Sequence, residues 1–184
     1  QGGGQARYVA NLARELTHFG HRVTIGCKPN SVLVSHAGQA GCGALNTFVF
    51  RGGLRPRAWF RDLAAVKRFI RAEQPDLIHV NGSQDHWVCA LGNRLLRRSV
   101  ALLRTRHNTY PVKNNLPNRI LNRAWTDFQI VVCETVRETL ATHPAFDAAR
   151  MCAIHNGVDA DQYRPDPAAR ARARAEFGFA DSDV

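Results

Sequence analysis

Three places in the sequence bring together side chains able to do acid–base or hydrogen-bonding chemistry. The first is RTRHNTYPVKNN, where Thr105, Arg106, His107 and Asn108 follow directly on the apolar run at 100–104. Polar groups at the end of a buried strand point into the crevice where parallel sheets bind ligands, and a solvated loop would not begin so abruptly. The second is Asn81-Gly82-Ser83-Gln84-Asp85-His86, after the apolar run 77–81. It offers amide, hydroxyl, carboxylate and imidazole groups for a hydroxyl-rich ligand, although Asp85 and His86 fit equally well as caps of the helix that follows. His79, inside that run, reads as a core histidine with a partner. The third is Gly2-Gly3-Gly4 ahead of a helical stretch, where open backbone N–H groups at a positive dipole end suit a diphosphate or a hydroxyl. It lacks the G-x-G-x-x-G spacing of a dinucleotide site and also fits a plain tight turn.

Other chemistries lack their patterns. The eight histidines include no His-x-x-x-His pair, no carboxylate cluster has the spacing of a calcium or magnesium loop, and neither a serine nucleophile elbow nor a P-loop occurs. No metal and no cofactor are therefore expected. Cys27, Cys42, Cys89, Cys133 and Cys152 form an odd set without Cys-x-x-Cys and read as thiols in a reducing compartment.

The elements that must position these groups follow from periodicity. Val9, Leu12, Leu16 and Phe19 mark a helix over 5–19 that Gly20 stops, and a strand follows at 22–27. Residues 28–44 read as a long loop and 46–50 as a strand. Pro56 opens a helix with an apolar stripe (Trp59, Leu63, Val66, Ile70) and a basic one (Arg57, Arg61, Arg68, Arg71). Further strands are expected at 77–81, 100–104, 128–133 and 151–154. Helices are expected at 87–96, 120–125, around 136–140 and at 168–177, with a loop at 105–117 and irregular chain at 155–167. Short, uniformly apolar strands alternating with helices specify a doubly wound α/β fold with a parallel sheet covered on both faces. A glycine loop of this type normally follows a strand, so the sequence reads as a chain trimmed at the front and lacking its first strand.

The 184 residues suffice for one domain, and a 45% apolar, 22% charged composition is that of a folded protein. No apolar run approaches the roughly 18 residues that span a bilayer, and the N-terminus has no export signal, so a cytoplasmic protein is expected. The net charge is +10, with 22 arginines among 25 basic residues. It is regional: residues 1–126 carry +14 and residues 127–184 carry −4. An anionic partner for the first two thirds and an arginine-rich genome both account for it.

The order of the pieces GGGQARYVANLARELTHFGHRVTI, QPDLIHVNG, LLRTRHNTY, IVVCETVRETL and IHNGVDADQYRP resembles the N-terminal, acceptor-side domain of family-4-type retaining glycosyltransferases of the GT-B fold. The last piece is the most specific, with His155 in place of the family's usual proline. Cys133-Glu134-Thr135 stands where a serine is common. The resemblance implies a Rossmann-like domain over 1–165, a helix and linker over 166–184, and a separate C-terminal donor-binding domain. It implies His107 as the catalytic-site residue beside the reacting sugar. Gly3, Gly4 and Asn156 would face a nucleotide-diphosphate sugar as donor, and Gln5, Asp85, His86, Asn108 and Lys113 the acceptor. It further implies transfer with retention to a glycan or lipid-linked acceptor in cell-envelope synthesis, near the inner face of the cytoplasmic membrane and with no nucleic acid involved. The rival reading is a stand-alone α/β module that holds an anionic ligand or nucleic acid on its basic surface.

Overall fold

A computed structural model of the chain describes residues 3–53, 55–97, 100–108, 110–160, 163–180 and 182–183. Gly2, part of the glycine run, lies outside them. The amphipathic stripe of the first segment becomes α1 (Gly4–His18), which ends where Gly20 takes φ 86°, a backbone angle that favours glycine. Then come β1 (Thr24–Gly26), α2 (Leu33–Gln39), β2 (Gly43–Leu45), α3 (Pro56–Glu73), β3 (Leu77–Val80), α4 (Ser83–Leu95) and β4 (Ala101–Arg106). The chain continues through α5 (Leu116–Arg119), which runs into a π-turn over Ile120–Ala124, to β5 (Phe128–Val131), α6 (Glu134–Ala141), β6 (Met151–Ala153) and α7 (Pro167–Phe177).

All strand pairs among the described residues are parallel. β1 pairs with β2, and a second sheet has the order β3-β4-β5-β6. α3 and α4 pack over the second sheet, with Val66, Ile70, Val80, Val88 and Leu102 forming the main core. Val131, Val136, Leu140, Phe146 and Met151 form a second core around β5 and α6, and Ala13, Ile25, Cys27 and Ala37 a third beneath α1 and α2. All five cysteines are free thiols, with Cys27 and Cys89 buried.

Three expectations are corrected. Residues 28–44 are not a loop: Leu33, Val34 and Ala37 close the third core, and that packing holds a helix too short for its period to show in sequence. The strand expected at 46–50 lies earlier, at Gly43–Leu45. The backbone N–H groups of Val49 and Phe50 go instead to the two carboxylate oxygens of Asp62 on α3, at 2.7 and 2.8 Å. A strand cannot ladder with N–H groups that a carboxylate has taken. The strand expected to end at 104 includes Thr105 and Arg106, which pair with Ile130 and Val131 of β5.

Asp62 is 1% exposed, so Asp62→Ala strands two N–H donors inside the protein. The expected loss of unfolding free energy is about 3 kcal/mol, measured by urea denaturation; a loss below about 1 kcal/mol would show that water replaces the carboxylate.

Candidate functional site

Side chains of a strand alternate between its faces. On one face of the adjacent strands β3 and β4 lie His79 and Thr105, and just beyond the strand ends lie Asn81 and His107. α1 lies against this face through Tyr8. The Tyr8 hydroxyl is 3.3 Å from Thr105 Oγ1, and Thr105 Oγ1 is 2.7 Å from His79 Nε2. The rings of Tyr8 and His107 meet edge to face, with centroids 4.6 Å apart. His107 Nε2 donates to Asn81 Oδ1 at 2.9 Å, which places the ring hydrogen on Nε2 and leaves Nδ1 as an acceptor.

Electrostatics keep these imidazoles neutral. Burial lowers the pKa of His107 first, the Arg104 guanidinium lowers it further, and Asp85 opposes them. Burial and then His107 bring His79 down to about 4. The cluster is therefore a set of neutral donors and acceptors at the carboxyl ends of two parallel strands, the position where such sheets bind ligands.

The start of α1 lies one turn from the Tyr8–His107 contact. Gly4 opens the helix one turn before Tyr8, about 6 Å along its axis. No side chain caps this end and its first turn has no acidic residue. Among the described residues, a Cβ at Gly3 or Gly4 would meet nothing within 4 Å beyond its chain neighbours and the helix's own backbone. Gly3, Gly4 and Gln5 are exposed at the start of α1, the helix whose Tyr8 meets His107.

Asp85 serves as a cap: Oδ2 accepts from the N–H groups of Asn81 and Gly82 at 2.9 and 2.8 Å, and Oδ1 accepts from that of His86. A Cβ at Gly82 would sit 2.7 Å from Asp85 Oδ1, so a larger residue there displaces the capping carboxylate. The cap holds Asn81 at the strand end, so Asp85 acts on the site through Asn81. His86 is corrected as an acceptor contact. It is fully buried on the opposite face, with Nε2 bonded to Thr126 and Nδ1 to Arg104, and offers a ligand no surface. Asn108 and Lys113 are exposed on the loop after β4, and Asn156 is exposed after β6, with no described contact to the His107 cluster.

Sequence reasoning missed Tyr8 as a site residue and read Thr105 as a polar group beyond the strand rather than within it. Counting in twos from His107 finds Thr105. Tyr8 carries a signal only in being aromatic one turn after the glycines. Among the described residues no group of three histidine, cysteine or acidic side chains is placed to hold a metal ion, and no helix is long and apolar enough to cross a membrane.

Comparison with known proteins adds the following. The sequence profile of Glycosyltransferase Family 4 matches residues 2–162. No curated protein sequence matches the chain. A glycosyltransferase from Rickettsia africae superposes with a TM-score of 0.81 at 17% identity, covering 98% of this chain and 47% of its own. Anabaena Alr3699/HepE in complex with UDP and glucose gives 0.72 at 17% identity, covering 97% and 48%. Acinetobacter baumannii MurG gives 0.59 at 14% identity, covering 88% and 45%. The chain thus spans about half the length of these structures and shares their Rossmann-like fold.

One consequence of the neutral cluster is measurable. His79 has a folded pKa of about 4 against an ordinary 6.5, so unfolding takes up a proton between these values. Its contribution is present above pH 6.5 and lost as pH falls to about 4, up to about 3 kcal/mol. Denaturant titrations across that window should show stability falling with pH, and less steeply in His79→Gln. A slope unchanged by the substitution contradicts the assignment.

Proposed function

Since this chain belongs to glycosyltransferase family 4, we propose that it is the N-terminal, acceptor-side domain of an enzyme that moves a sugar, with retention, from a nucleotide-diphosphate sugar to a glycan or lipid-linked acceptor. The observation that carries the reading is His107. It is a neutral imidazole at the end of β4, with its Nε2–H given to Asn81 and its ring braced by Tyr8, beside the uncapped start of α1. That HepE is solved with UDP and glucose supports a nucleotide sugar as donor.

In this reading the glycine start of α1 lets the donor diphosphate or the transferred sugar approach the main chain. The helix-dipole N–H groups offset the negative charge that grows on the leaving group. His107 lies against the reacting sugar, where a neutral ring can both pack and accept a hydroxyl hydrogen at Nδ1. Gln5, Asn108 and Lys113 border the acceptor side. Asn156 faces the donor across a hinge that leads through 166–184 to a donor-binding domain. The basic face of α3, with exposed Arg57, Arg61, Arg68 and Arg71, rests against an anionic membrane, and the pathway is cell-envelope synthesis on the cytoplasmic side. The donor is a substrate, and the reading calls for no further cofactor.

In an enzyme that joins this domain to a donor-binding domain, replacing His107 by alanine is expected to lower kcat/KM for sugar transfer by about 10²-fold or more without unfolding the domain, while this domain alone transfers no sugar; full activity in the variant would remove His107 from the mechanism. Asn81→Asp places a carboxylate against the imidazole, raises the His107 pKa and moves the acid limb of the pH–rate profile to higher pH. An unmoved limb would show that the protonation state of His107 does not govern the rate.

A further inference from the structure

On the face of β4 opposite His107, Arg104 and Arg106 point the same way, and each is 7% exposed. Arg104 meets His86 Nδ1 through Nη1. Arg106 donates from Nη2 to the Tyr110 carbonyl at 3.3 Å and lies with Cζ 5.6 Å above the centre of the Phe146 ring. The Nε atoms of both arginines are buried without a partner, as is Oε1 of Gln129, which pairs with Arg104 across the ladder. The ion pairs among the described residues, Arg14–Glu15, Arg22–Glu73, Arg137–Glu134 and Arg150–Asp147, involve neither guanidinium.

Two buried cations side by side with no ion-paired carboxylate are costly, because each lost its water and each repels the other, and Asp85 offsets this only at longer range, for Arg104. An arginine-rich composition explains arginines on a surface, where they cost little, but not a pair inside a sheet layer. An oxyanion between them supplies what is missing: a counter-charge and acceptors for the idle Nε hydrogens. Each guanidinium edge presents Nε–H and an Nη–H in parallel, the fork that a phosphate group accepts in bidentate fashion.

We propose that Arg104 and Arg106 form a phosphate seat at the carboxyl end of β4, beside the Tyr110 carbonyl and the Phe146 ring and on the other side of the strand from His107. The Tyr110 carbonyl, a neutral acceptor for Arg106, gives way to the charged one. The seat does not depend on the transfer reaction and stands or falls separately from it.

The test is thermal unfolding of the protein in millimolar inorganic phosphate against sodium chloride of equal ionic strength. Phosphate should raise the melting temperature by a few degrees, saturably. The rise should be lost in Arg104→Gln and Arg106→Gln, and reduced in Arg106→Lys, which keeps the charge without the fork. It should persist in Arg57→Gln/Arg61→Gln, which removes surface charge on α3, and in His107→Ala, which removes the other cluster. Should a glutamine variant fail to fold, ³¹P line broadening of phosphate with Arg106→Lys gives the same answer. An equal response to chloride and phosphate, or a phosphate response undiminished in Arg106→Lys and in the folded glutamine variants, overturns the proposal.

Discussion

The pairing of β4 between β3 and β5 is the constraint from which the rest follows. A strand with a neighbour on each side and helices packed on it has little solvent side, so its carboxyl half, Arg104 to Arg106, goes to one covered layer or the other. The layers here are chemically unlike. Toward α1, Thr105 and the following His107 join Tyr8, His79 and Asn81 in a neutral hydrogen-bonded set. Toward α4 and Phe146, Arg104 and Arg106 bring charge into the interior. A shift of β4 by one residue would exchange the two sets and destroy both.

The two layers are coupled through electrostatics. The Arg104 guanidinium helps hold His107 neutral, and Arg104 is itself lowered to about 10 by burial, and then by Arg106. His86, buried against Arg104 and Thr126, is kept well below its ordinary pKa by burial and both guanidiniums. The positive charge of the first two thirds of the chain is thus of two kinds. Some lies on the outer face of α3 in contact with water, and some lies inside, across the strand from the His107 cluster.

Much of this was legible in the sequence. α1 and α3 declare themselves by period, and β3, β4 and β5 by short apolar runs, which is enough for the doubly wound α/β class and for His107 at a strand end. What stayed hidden depends on contacts between distant residues. The Asp62 carboxylate takes the N–H groups of Val49 and Phe50 and ends any strand there. α2 is held by its core partners rather than by its own periodicity. Thr105 and Arg106 look like loop residues because they are polar, yet α1 and Phe146 give them partners inside the fold. His86 follows a capping aspartate and reads as surface, but its helix turns it inward.

The central claim is that the fold presents His107 as a neutral imidazole with its hydrogen on Nε2. Long-range ¹H–¹⁵N correlation spectra of the ring nitrogens, recorded across pH, measure both features at once. The account predicts an Nε2–H tautomer whose titration lies below the ordinary 6.5, with the Nε2 resonance perturbed in Asn81→Ala. An Nδ1–H tautomer, or a titration at or above 6.5, would contradict it.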